Sequence, residues 1–165
     1  MKHILVLVVC IFLFSACYSD KEGESSLEQM PEDFNFSLIY GTYGKQKIDT
    51  FHDLVVKDLV EDGTVEVTLQ LTDQEMNDIY KKMLELNIMS EELDLNEENE
   101  CESDPPSISV WEIEMNTNKK TINYGTYCDY HQDVLNLMKL EDYIHEIVSN
   151  KEKYKSLPDS NGYYE

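Results

Sequence analysis

Beyond residue 17 the side chains best suited to chemistry are His52, His131, His145, Cys101, Cys128 and a dense run of carboxylates between Ser90 and Asp104. His131 and Asp133 stand close together near a helix start, and an imidazole beside a carboxylate is the elementary unit of acid–base catalysis. They are the first candidates for a catalytic site assembled from dispersed residues. No nucleophile motif accompanies them: the chain has no G-x-S-x-G, H-E-x-x-H or S-x-x-K and no phosphate loop. It also has no arginine, so nothing offers a planar two-pronged clamp for phosphate or carboxylate substrates. His145 follows Glu141 by one helical turn and is expected to pair with it on the surface. Asp94, Asn96 and Glu98 alternate like calcium ligands, but the turn glycine and the closing bidentate glutamate of a calcium loop are missing. The expected state of that stretch is a solvated acidic loop. Cys101 and Cys128 lack the C-x-x-C spacing of a metal site, and no cofactor is indicated.

The first seventeen residues carry a different chemistry. Met1-Lys2-His3 precedes an unbroken apolar run from Ile4 to Phe14, followed by Ser15-Ala16-Cys17. At 1.5 Å per residue such a run covers about half a membrane's hydrocarbon thickness, too short for an ordinary span. Phe14-Ser15-Ala16-Cys17 resembles the lipobox of bacterial lipoproteins, with Phe14 where that family usually has Leu. The resemblance implies a signal peptide over residues 1–16, diacylglycerol on the Cys17 thiol, and a lipid-anchored protein on the outer face of the cell membrane. An ordinary secretory signal cut after Ala16 is the alternative. Two acyl chains anchor stably without help from a basic patch.

After residue 16 the chain holds 12 lysines against 34 acidic residues, a balance of −22. That charge repels nucleic acid and anionic headgroups and leaves cationic proteins or divalent ions as possible partners. A self-repelling, soluble surface is the simpler expectation. In an exported chain the leftover pair Cys101 and Cys128 is expected to form a disulfide.

The elements that would position these residues are legible from periodicity. Residues 18–33 read as a polar, disordered tether spanning roughly 20–25 Å. Phe34, Phe36, Leu38 and Tyr40 alternate as a strand, Ile48 to Val60 reads as a longer second one, and Asp62-Gly63 signals a hairpin into Val65–Leu71. Thr72-Asp73-Gln74-Glu75 is a capping box that opens a helix from Asp73 to about Asn87. Ile108–Met115 and Thr121–Tyr127 form a second hairpin around Asn116-Thr117-Asn118, which would bring Cys101 within reach of Cys128. A last helix starts near Gln132, with Lys151, Lys153 and Lys155 near its end. Tyr40-Gly41-Thr42-Tyr43 recurs as Tyr124-Gly125-Thr126-Tyr127, either a duplicated half or paired contacts on one sheet. The expected fold is α+β: an antiparallel sheet of about five strands with two helices packed on one face, one domain over 34–158, and a polar tail from 159 to 165.

Lys57-Asp58-Leu59-Val60, Leu71-Thr72-Asp73-Gln74-Glu75-Met76, Ile79-Tyr80-Lys81-Lys82-Met83 and Lys151 to Pro158 resemble a group of small Bacillus-type lipoproteins. The resemblance implies the same fold and location and carries no catalytic residue across. The reading that results is a membrane-anchored, non-enzymatic interaction or envelope-accessory domain. A small-ligand or cation-binding module using the acidic loop, and an enzyme at His131 and Asp133, are the alternatives.

Overall fold

A computed structural model describes residues 29–95 and 101–164. Six strands form one antiparallel sheet: β1 (Asn35–Tyr40), β2 (Gln46–Asp49), β3 (Leu54–Val60), β4 (Gly63–Thr68), β5 (Ser109–Met115) and β6 (Asn118–Tyr124), in the order β4-β3-β2-β1-β5-β6. Helix α1 (Asp73–Glu85) links β4 to β5, and α2 (Gln132–Ser149) and the single turn α3 (Glu152–Lys155) follow β6. The α+β class and the two-helix layer are as the periodicity predicts.

The core follows from pleat and register. Side chains alternate faces along a strand, and the register aligns one apolar residue from every strand in a single row: Ile122, Trp111, Leu38, Ile48, Val55 and Val67. Ile79, Tyr80 and Met83 of α1 and Val134, Leu137, Leu140, Ile144 and Val148 of α2 join this row in one core cluster. The Phe34 and Tyr80 rings meet edge to face at 5.2 Å.

The sixth strand arises because the expected run from Ile48 to Val60 is broken. Thr50, Phe51, His52 and Asp53 turn between β2 and β3, with Asp53 at a left-handed φ of 51°. Thr50 fixes the turn to β1: its hydroxyl accepts from the Phe36 N–H at 2.8 Å and donates to Asn35. No glycine or proline marks the place.

The hairpins depart from expectation in detail. Val60 pairs with Gly63, so the β3–β4 turn closes on Glu61-Asp62, with Gly63 supplying a φ of +79° on its far side. The β5–β6 turn holds Asn116 and Thr117, both left-handed as a type I′ turn requires. Asp33 braces it, its carboxylate accepting from the Asn116 and Thr117 N–H groups at 3.0 and 2.6 Å.

The capping box at Thr72 and Glu75 forms as predicted. The lysines expected at the end of α2 do not serve it, because α2 stops at Ser149 with no basic residue in its last turn. The chain turns at Asn150, Lys151 caps α3, and its ammonium pairs instead with Glu75 at 2.6 Å. Residues beyond Pro158 dock on β3: the Ser160 hydroxyl donates to the Asp58 carbonyl, Asn161 bridges Val60, and the Tyr164 hydroxyl donates to the Asp58 carboxylate. Among the described residues no helix is long and apolar enough to cross a membrane.

Candidate functional site

Three polar constellations stand out. The first lies between the sheet and α2 and explains the Tyr-Gly-Thr-Tyr echo. Tyr124 faces Ser109 across the β5–β6 ladder, and Tyr40 ends β1 on the same helix-covered face. The two tyrosines meet successive turns of α2. Tyr124 and Ser109 donate to the Glu141 carboxylate at 3.1 and 2.7 Å, and the Tyr40 hydroxyl meets His145 Nδ1 at 2.7 Å. Glu141 and His145 therefore do not form the expected surface pair. Both point inward, where separate sheet residues hold them. The paired threonines have matching work: Thr42 bridges Ser107, and the Thr126 hydroxyl accepts from the Ser107 N–H.

Burial governs the ionisation of this network. It pushes both tyrosine hydroxyls far above their ordinary range, so both stay protonated. It holds the His145 imidazole below its usual value despite the nearby Asp142. It also raises the Glu141 carboxyl, with Asp142 adding to the effect and the bonds from Ser109 and Tyr124 opposing it. A carboxyl raised on folding favours the folded state most below its unfolded value, and that contribution is lost as pH rises through the folded one. Glu141→Gln, which keeps an acceptor oxygen but removes the charge, is therefore expected to raise the melting temperature near pH 7. The gain should shrink and vanish towards pH 4. Thermal melts across that range check it, and a uniform offset at every pH would contradict it.

The second constellation is the one the sequence singles out. The structure brings His131, Asp133 and Asp94 together: His131 Nε2 is 3.5 Å from Asp94, His131 Nδ1 is 3.9 Å from Asp133, and the Asp133 carboxylate accepts from the Asp94 N–H at 3.0 Å. His131 is the N-cap of α2 and accepts from the Asp133 N–H. That arrangement caps a helix and pins the start of the acidic loop. Asn96 and Glu98 lie outside the described residues, as does Cys17. No group of three His, Cys, Asp or Glu side chains among the described residues could hold a metal ion. Cys101 and Cys128 meet at disulfide distance, Cα to Cα 5.1 Å, and the Cys101 N–H donates to the Thr126 carbonyl.

The third constellation is the candidate site. The helices cover one face of the sheet. On the opposite face a groove of about 510 Å³ runs over β2, β5 and β6 and past the β2–β3 turn, with Asp49, Lys47, His52, Phe51, Glu112 and Lys119 in its wall. Asp49 is only 4 % exposed. Its Oδ2 accepts from Lys47 at 2.8 Å and meets His52 Nδ1 at 3.1 Å, while its Oδ1 is buried with no hydrogen-bond partner. Burial works against ionising this carboxyl, but the bonds from Lys47 and His52 outweigh it and hold the group below the usual carboxylate range. Asp49 is thus an ionised carboxylate set into the groove wall and held there by one ammonium and one imidazole.

His52 stands out in the sequence only as a histidine and Asp49 not at all; the one signal that joins them is a D-x-x-H spacing inside an apparent strand. No family model matches the chain, and no curated protein matches it.

Proposed function

We propose that this chain is a lipid-anchored protein of the outer membrane face whose folded domain binds a cationic protein partner through the uncovered face of its sheet. The lipobox at Cys17 and the resemblance to small lipoproteins support the anchor. A single observation supports the binding face: among the described residues the helices cover one side of the sheet only, and the other side is hollowed around the buried carboxylate of Asp49. The −22 balance favours a cationic partner and disfavours nucleic acid. Catalysis is not part of this reading, because His131 and Asp133 serve a helix start and Glu141 and His145 are taken up by hydrogen bonds to the sheet.

Lysine footprinting tests the reading. In the anchored full chain within intact envelopes, Lys47 and Lys119 on the open face should be protected from acylation relative to the purified protein. Lys139 and Lys153, exposed elsewhere, should react equally in both. Equal reactivity at all four positions would contradict the assignment. The anchor is tested in the same cells: Cys17→Ala should abolish incorporation of a fatty-acid label, and normal labelling of that variant would refute it.

A further inference from the structure

The segment that follows α3 is joined to β3 at a place where the β3 backbone is strained. β2 pairs with β3 only from Leu54 to Val56, so the rest of β3 extends past its neighbour on that side. Asn161 fills the gap as a parallel bridge to Val60. Its N–H donates to the Leu59 carbonyl at 3.1 Å, and its carbonyl accepts from the Glu61 N–H at 3.2 Å. Val60 itself has a φ of 64°, in the left-handed region that a β-branched residue rarely adopts. The β3–β4 register slips between Asp58 and Val60, at the same point.

One carboxylate ties this strain to residues 158–164. Asp58 Oδ1 accepts from the Val60 N–H at 2.9 Å, and Asp58 Oδ2 accepts from the Tyr164 hydroxyl. The Tyr164 ring meets the Tyr43 ring at 5.6 Å, and the Lys45 ammonium lies 4.7 Å from the Tyr164 ring centre. Gly162 makes the bend between bridge and ring with a φ of +83°, where a Cβ would run into the Glu61 side chain.

These bonds hold a segment that buries little. Residues 158–163 are exposed and Tyr164 is half-buried. A segment with few buried apolar contacts and solvent-exposed backbone bonds opens locally at far less cost than the whole domain. A left-handed valine persists only where its surroundings hold it. With Asn161 gone and Asp58 released from Tyr164, Val60 loses the bonds that fix it from that side.

We propose that residues 158–164 are a releasable strap latched on β3 at Asp58, and that the strap and the left-handed backbone at Val60 open and close as one unit. Opening relaxes Val60 and leaves the Leu59 carbonyl and the Glu61 N–H unpaired at an edge that the closed strap covers. The device lies at the end of the sheet beside the β1–β2 turn, whereas Asp49 and His52 lie at the β2–β3 turn. It therefore does not rest on the open-face reading.

Amide hydrogen exchange of the full chain, followed residue by residue, tests it. Protection at Asn161 and Glu61 should be at least about a hundredfold below that of Leu38 and Trp111 at the centre of the sheet, and low urea should reduce only the latter pair's protection. Glycine and asparagine enter the left-handed region at little cost. Val60→Gly and Val60→Asn should therefore favour the closed state and raise protection at Asn161 and Glu61 at least about fivefold, whereas Val60→Ile, which keeps the branch, should change it less than about twofold. Gly162→Val and Tyr164→Phe should lower that protection, and Gly162→Val should also move the Val60 chemical shifts out of the left-handed range. Unchanged protection in both Val60→Gly and Val60→Asn, or Val60 shifts unmoved by Gly162→Val, would overturn the coupling. Asn161 and Glu61 protected as fully as Leu38 and Trp111, or unaffected by both strap variants, would overturn the release.

Discussion

Trp111→Ala is expected to cost about 3–5 kcal/mol, a large share of the 5–15 kcal/mol that keeps a typical domain folded. Trp111 is fully buried at the centre of β5. Leu38 on β1 and Ile122 on β6 flank it in register, and the Phe36 ring lies 6.4 Å away. It is the largest member of the row that crosses all six strands, and the helices close over that row. Truncation would leave a cavity between two layers that cannot both collapse into it, because the strands are fixed by their ladder bonds. Urea unfolding should show a lower midpoint with an unchanged slope. Trp111→Phe, which keeps an aromatic ring in the row, should cost distinctly less. A loss below about 1 kcal/mol for the alanine variant would mean that this row is not the centre of the core.

Replacing Cys101 and Cys128 together by serine is expected to cost about 3.5 kcal/mol, from the chain entropy released when a loop of this length opens. The cysteines are 27 residues apart in sequence, and the loop they close contains the entire β5–β6 hairpin. The link also holds the end of the acidic segment on the sheet, where the Cys101 N–H reaches the Thr126 carbonyl and Tyr127 is buried nearby. The double variant should therefore become sensitive to protease between Ser90 and Ser107 before the domain unfolds globally. Denaturant midpoints with and without reductant provide the check. Wild-type protein unaffected by reductant, together with two freely alkylatable thiols, would contradict it.

The features legible in the sequence were those carried by local chemistry. Thr72 and Glu75 announce a helix start because both halves of the capping box lie within four residues. Phe36, Leu38, Trp111 and Ile113 announce their face by alternation alone. The features that were not legible depend on a turn without the usual markers. Read as one strand, Ile48 to Val60 would place Asp49 and His52 on opposite faces of the sheet. Thr50 stops the strand by bonding back to Phe36, and the turn that follows brings His52 to within 3.1 Å of Asp49. The candidate site is thus a product of that turn. The tyrosine echo was visible as a pattern, but its meaning was tertiary. Only the placement of α2 shows that Tyr124 and Tyr40 serve Glu141 and His145 on successive turns. His131 and Asp133 illustrate the converse, since residue types suited to catalysis are used here to cap a helix.

The central claim is that the uncovered face of the sheet is the working surface of an anchored protein. The most direct measurement places a photocrosslinking residue in the full-length, anchored chain, either at Thr121 on the open face or at Leu135 on the exposed side of α2. Both variants are irradiated in intact envelopes. The account predicts one discrete, protein-sized adduct from position 121, lost on Asp49→Asn and absent from position 135. Adducts of equal yield and pattern from both positions, or adducts from position 135 alone, would contradict it.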